Sequence, residues 1–240
     1  MSSRWNAIMA TMDLDCLESY PWHYDRAAVR SDPQVEFLAS HRTLDAFEVG
    51  GLKFVCPAGI YHPDEFSSTR FMYRGLLSEL PRLGQRIVEV GTGCGAIGIC
   101  LAAAGRGVTL LDINPEAVAC AANNARLNRV EVRALQSDLL AAVEGQQFDL
   151  ILFNTPLMDK PVESPIEVMA CDSGGQLFTR FMDEARHHLI PGGEVCVSVS
   201  NLGNRTAILA ALAGYKYRIL YFENYPADNI WKCLLLAQPV

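Results

Sequence analysis

A chain of 240 residues, half of it hydrophobic and a fifth charged, can bury roughly 70 to 75% of its unfolded surface, enough for one compact domain with an appendage. Lys plus Arg number 20 against 27 Asp plus Glu, a formal charge of −7, which argues against a broad phosphate-binding face and so against nucleic acid as a partner. The longest uncharged stretch, residues 90–105, has 16 residues and five glycines, short of the roughly 18 apolar residues of a spanning helix. Residues 1–12 lack the apolar run of a secretory leader, so the expectation is a cytoplasmic protein with no membrane partner. The eight cysteines form no C-x-x-C pair, and the adjacent His187 and His188 would point about 100° apart on a helix, so no metal site is expected.

Residues 1–50 carry Trp5, Tyr20, Trp22 and Tyr24 at irregular spacing and read as an appendage on a main domain spanning 51–240. A cover over a binding site and a plain packing extension are both open to it. Gly50-Gly51 between residues 47–49 and 52–55 spells a hairpin turn. From Arg86 onward, strand-like and helix-like segments alternate with short connections, the pattern of a parallel sheet with helices on both faces. Strands are expected at 87–90, 108–111, 130–135, 148–153 and 194–199, and helices at 96–104, 115–127, 176–189 and 205–213. Asn114 caps and Pro115 opens the second helix, and Pro191-Gly192-Gly193 reads as a tight turn before the fifth strand. Residues 217–222 and 231–237 are too close for a crossover and suit a looped antiparallel pair. The expected fold is α/β, Rossmann-like and doubly wound, with a mostly parallel seven-stranded sheet and a C-terminal antiparallel hairpin.

Glu89-Val90-Gly91-Thr92-Gly93-Cys94-Gly95 follows a strand and opens a helix, and glycines at alternate positions let backbone approach a ligand closely. The next strand ends at Asp112, where a carboxylate can accept hydrogen bonds from both hydroxyls of a ribose. The third strand leads to Ser137-Asp138-Leu139 at the same crest, with Asp138 within reach of an adenine edge. Taken singly, these are also a tight βα turn and two helix or turn caps. Gly93-x-Gly95-x-x-Gly98 equally fits a nicotinamide-binding loop. The fourth strand ends in Asn154-Thr155-Pro156-Leu157, which sets an amide and a proline-directed carbonyl beside the glycine loop.

Residues 89–95, Asp112-Ile113-Asn114-Pro115-Glu116-Ala117, Ser137-Asp138-Leu139 and the Asn154 tetrapeptide together resemble class I S-adenosylmethionine-dependent methyltransferases of the HemK/PrmC-like group. Gly59-Ile60-Tyr61-His62-Pro63 with Ser67, Ser68 or Thr69, and Asp172-Ser173-Gly174-Gly175 leading into residues 189–193, are similar to that group as well. The likeness covers about residues 45–205. It implies S-adenosyl-L-methionine as cofactor, held by Glu89, Gly91, Thr92, Gly93, Gly95, Asp112, Ile113, Asn114, Asp138, Leu139 and Asn154. Asn154 and Pro156 become the catalytic candidates, and Tyr61, Ser67, Ser68 and Thr69 candidates for the substrate side. The family's tetrapeptide is Asn-Pro-Pro-Tyr; Leu157 supplies no ring to stack on a flat amide.

Methyl transfer needs positioning more than a nucleophilic residue. The Asn154 oxygen and a carbonyl near Pro156 can accept hydrogen bonds from a substrate N–H and aim its nitrogen. A cationic substrate would need a carboxylate, and Asp159, Glu163, Glu167 and Asp172 follow the tetrapeptide. The leading expectation is an N-methyltransferase for a small metabolite or free amino acid, with a small molecule as partner. The resemblance itself implies a protein glutamine methyltransferase, and the altered tetrapeptide leaves open a non-catalytic binding module.

Overall fold

The computed structural model describes residues 16–22, 46–63, 67–225 and 229–240. Strands β1 (Phe47–Val49) and β2 (Leu52–Phe54) form the expected hairpin, with Gly50 and Gly51 both at positive φ in its turn. The main sheet holds β3 (Arg86–Val90), β4 (Gly107–Asp112), β5 (Arg133–Gln136), β6 (Phe148–Phe153), β7 (Leu189–Ser200), β8 (Tyr215–Tyr225) and β9 (Ile230–Pro239). Their order is β5-β4-β3-β6-β7-β9-β8, parallel from β5 to β7 and antiparallel where β9 enters between β7 and β8. This is the doubly wound α/β fold expected, C-terminal hairpin included.

Alternation along the central strands builds two cores, because successive side chains in a strand point to opposite faces. Val88, Val90, Ile151 and Phe153 face one way and pack on Phe178, Phe181 and Met182 of α4 (Gln176–Ala185) and on Ile208 and Leu212 of α5 (Arg205–Leu212). Ile87, Leu150 and Leu152 face the other way. They meet Phe71 and Met72 of α1 (Ser68–Leu77), Ile97 and Leu101 of α2 (Ala96–Ala103), and Ala117 and Ala121 of α3 (Pro115–Leu127). The parallel strands are buried on both faces and so read as apolar runs. Among the described residues, no helix is long and apolar enough to cross a membrane.

The larger differences from expectation fall at four places. Val130 belongs to the end of α3, its N–H returning to the Ala125 carbonyl at 2.9 Å while Arg129 takes φ 57°, so β5 starts at Arg133. α4 ends at Ala185, four residues before the expected helix end, and gives way to a 3-10 turn at Arg186–His188. Pro191-Gly192-Gly193 lies inside β7 as an irregularity: the partner register shifts between Phe148 and Leu150, Gly192 takes φ +83°, and Leu189 already pairs with Phe148. The hairpin strands run longer than expected, because pairing with β7 and with each other carries both to Tyr215–Tyr225 and Ile230–Pro239.

Of the appendage, residues 16–22 dock on the hairpin. Leu17 and Tyr20 are buried, Trp231 Nε1–H donates to the Pro21 carbonyl at 3.0 Å, and the rings of Tyr20 and Trp22 meet Trp231 edge-on at 5.2 and 4.9 Å. Trp5, Tyr24 and the rest of residues 1–15 and 23–45, most of the appendage expected as a cover or a packing extension, lie outside the described residues.

Candidate active site

Parallel strands bring their carboxyl ends to one crest, so residues 91–95, Asp112, Asp138 and Asn154 share an edge of the sheet. Face parity then decides which helix each side chain meets. Glu89 shares the face of Ile87 and reaches α2, where its Oε2 accepts from the Gly98 N–H at 3.0 Å and from Thr92 Oγ1 at 2.8 Å. A Cβ on Gly98 would sit 2.6 Å from that oxygen, so only glycine lets the helix approach. Glu89 is 3% exposed, and burial pushes its carboxyl up to about 7 against the pull of these two hydrogen bonds. The sequence places Glu89 among cofactor contacts; in the fold it braces the glycine loop from beneath.

Asp112 closes the loop from the next strand. Its Oδ2 accepts from Gly93 N–H at 2.8 Å and its Oδ1 from Asn114 N–H at 2.9 Å, while burial raises its pKa against those same bonds. Gly93 takes φ +56°, and a Cβ there would meet nothing nearer than Ile60 at 3.8 Å, so its outer side is open for a ligand. Ile113, beside Asp112, leaves an apolar side chain 60% exposed at the crest. Asn114 is the expected cap, accepting from Glu116 N–H at 2.9 Å. Asp138 is paired with Arg180 of α4, and Leu139, at φ 45°, is buried in the core on that side.

Asn154 follows Phe153 and so shares the face of Leu152, toward α1. Its Nδ2 donates to Ser68 Oγ at 3.0 Å and Thr69 Oγ1 at 3.4 Å, and its Oδ1 accepts from Ser198 Oγ at 3.2 Å. Tyr61 Oη accepts from the Ser68 hydroxyl at 3.4 Å, so Tyr61, Ser68 and Thr69 gather beside Asn154. Ser67 has a different task, capping α1 by accepting from Arg70 N–H at 3.2 Å. Thr155 stands where the family has proline, and its hydroxyl donates to the Ser198 carbonyl at 2.6 Å. Behind the tetrapeptide, Pro156, Leu157, Phe178, Val199 and Ile208 line a shallow depression on the α4 side.

The acids expected to face a cationic substrate are engaged elsewhere. Asp172 caps α4, its two oxygens accepting from Leu177 and Phe178 N–H at 2.9 Å each. Asp159 accepts from Gly174 N–H at 2.8 Å and Asn204 Nδ2 at 3.1 Å, and Glu167 pairs with Lys160 at 2.8 Å. These groups knit the loop after the tetrapeptide together, and Glu163 is exposed and 3.6 Å from Lys160.

Two groups without a local signal complete the site, a pair of asparagines and a serine. Asn124 of α3, 2% exposed, accepts from Val55 N–H at 2.9 Å and donates to the carbonyls of Val55 at 2.9 Å and Cys94 at 2.8 Å. One turn on, Asn128 accepts from Lys53 N–H at 3.0 Å and donates to the Lys53 carbonyl at 2.7 Å. The hairpin and the glycine loop are thus clamped to one helix. Ser198 is the other, brought beside Asn154 because Val197 pairs with Phe153.

A family model described as the methyltransferase small domain matches residues 52–219. The chain belongs to that family. It is a class I S-adenosylmethionine-dependent methyltransferase of the HemK/PrmC-like group, which sets aside both the nicotinamide and the non-catalytic readings. A relative from Methanocaldococcus jannaschii, provisionally named a protein N5-glutamine methyltransferase, is 32% identical over 77% of this chain and 98% of its own length. The release factor glutamine methyltransferase of Salmonella typhimurium is 36% identical over 58% of this chain and 54% of its own. Among solved structures, the T. thermophilus 16S rRNA methyltransferase RsmC, in complex with AdoMet and guanosine, superposes with a TM-score of 0.63. It is 18% identical, over 82% of this chain and 50% of that one, and so shows the fold.

These findings correct two expectations. Relatives named for glutamine in proteins overturn the small-metabolite acceptor and, with it, a role in small-molecule biosynthesis. The partner expectation of a small molecule falls with it, because those relatives are named for protein substrates.

Proposed function

We propose that the protein methylates the side-chain amide nitrogen of a glutamine within a protein substrate. The observation that carries this reading is the orientation of Asn154. Both of its N–H groups are directed at the hydroxyls of Ser68 and Thr69, so the group left to meet an acceptor is the oxygen, which keeps one lone pair beyond its bond to Ser198. A hydrogen-bond acceptor there suits a donor-bearing nitrogen. An amide nitrogen is a weak nucleophile because its lone pair is delocalised into the carbonyl. Holding both of its protons, one on Asn154 Oδ1 and one on a backbone carbonyl near Pro156, turns that lone pair toward the crest.

The crest fits the cofactor. Gly93 is open on its outer side, the Asp112 oxygens are fixed by backbone N–H groups with lone pairs remaining for ribose hydroxyls, and exposed Ile113 would offer an apolar surface to the base, with Asp138 as the polar group for its edge. When bound, S-adenosylmethionine supplies an electrophilic methyl group on a sulfonium. The test is mass spectrometry of a translation release factor incubated with the enzyme and methyl-labelled cofactor, with a methylated glutamine expected. Labelled protein with no modified glutamine, or no labelled protein at all, overturns the reading. Asn154→Ala is expected to lower kcat by about 10² or more while leaving cofactor affinity within about twofold.

A further inference from the structure

We propose that Ser198 is a positioning residue that holds the Asn154 amide in the one orientation presenting its oxygen, and not its nitrogen, to the methyl acceptor. The inference rests on the functional reading above and extends it: the choice of a nitrogen acceptor is set by a hydroxyl that touches neither substrate nor cofactor. A primary amide is nearly symmetric in shape, so packing alone does not tell Oδ1 from Nδ2; its hydrogen-bond partners do. Here those partners are hydroxyls, each able to donate or accept, and the orientation depends on where their protons are committed.

Three commitments fix it. The Thr155 proton goes to the Ser198 carbonyl at 2.6 Å, so it is unavailable to the Ser198 hydroxyl 3.5 Å away. Ser198, with no exposed surface, therefore directs its own proton at Asn154 Oδ1, 3.2 Å distant. On the opposite side the Ser68 proton goes to Tyr61 Oη at 3.4 Å, which leaves Ser68 Oγ to accept from Asn154 Nδ2 at 3.0 Å. A flipped amide would set its oxygen against a Ser68 hydroxyl whose proton is already placed, leave only the Thr69 hydroxyl at 3.4 Å to donate to it, and turn the buried Ser198 proton to Thr155 Oγ1 at the longer distance of 3.5 Å. The flipped form would offer an N–H to the acceptor, favouring a carboxylate or alkoxide oxygen over an amide nitrogen. Thr155 in place of proline belongs to the same arrangement, because a proline there has no hydroxyl to anchor the Ser198 backbone.

The orientation is read directly in 15N-labelled protein from the Asn154 Nδ2 resonances, identified by their loss in Asn154→Asp. In the wild type the two protons should be distinct and slow to exchange. In Ser198→Ala their exchange should rise tenfold or more while the backbone amides of β7 keep their protection, and Ser198→Cys, closer in shape and a weaker donor, should fall between. Unchanged exchange in a folded Ala or Cys variant overturns the proposal. Kinetics on a glutamine-bearing protein give a second readout. Ser198→Ala should lower kcat tenfold with cofactor Kd unchanged, and adding it to Asn154→Ala should cause no further loss. An additive loss would mark Ser198 as merely structural and overturn the positioning role. If the wild type modifies no glutamine, the substrate reading fails on its own, and the exchange measurement still decides the role of Ser198.

Discussion

Replacing Glu89 with Gln tests the brace beneath the glycine loop. The amide oxygen of Gln can still accept from Thr92 and Gly98, so the variant mainly removes the charge that burial disfavours. In the fold the carboxyl is pushed from 4.5 to about 7, chiefly by burial. The native value lies above the unfolded one, so between them the native state holds the extra proton. Stability therefore falls as pH rises from about 4.5 to about 7, and the contribution is level above that. A shift of this size corresponds to about 3 kcal/mol, most of which is lost between about pH 5 and pH 8. Glu89→Gln has no such loss. Urea unfolding of both proteins across this range should show the variant gaining about 2 to 3 kcal/mol on the wild type, or about 5 to 10 °C in Tm. The difference between the two curves cancels every other titrating group. Parallel curves would refute a buried carboxyl of raised pKa, and a widening gap in favour of the wild type would reverse the sign of the argument.

Asp112→Ala should leave the fold intact and weaken S-adenosylmethionine binding roughly ten- to hundredfold, read by calorimetry, since a charged acceptor contributes about 1.5 to 3 kcal/mol. Asn124→Ala strips partners from both polar groups of Val55 and from the Cys94 carbonyl, and should cost about 3 kcal/mol in chemical denaturation. Removing residues 1–22 should lower Tm through the lost burial of Leu17 and Tyr20, about 1.5 to 3 kcal/mol each, with cofactor affinity unchanged by calorimetry.

The parallel core was legible because strands buried on both faces are short apolar runs, and residues 89–95 announce a crest loop by glycine spacing alone. Pro191-Gly192-Gly193 misled because local turn chemistry and a bulge use the same residues, and only the Phe148 to Leu189 pairing tells them apart. Asp159 and Asp172 look like substrate partners in a list of acids, yet a carboxylate beside a helix start or a tight loop is as readily filled by backbone N–H groups. Ser198 and Asn124 were silent for another reason. Each acquires its role from a residue 44 or 69 positions away in sequence, and no local pattern marks such a meeting.

The asparagine clamp carries a geometric limit of its own. Four residues of α-helix advance about 6.0 Å, while two residues of strand advance about 6.6 Å, so Asn128 and Asn124 can match Lys53 and Val55 rung for rung. The next rung would pair position 120 with position 57. There the two rulers drift out of step, Pro57 has no N–H to offer, and Cys120 Sγ turns back to the Val55 carbonyl at 3.3 Å. A helix can impersonate a neighbouring strand for two steps and no more. Inserting a single residue between Asn124 and Asn128 would swing one amide about 100° around the helix, releasing the hairpin at one end while the glycine loop stayed held at the other.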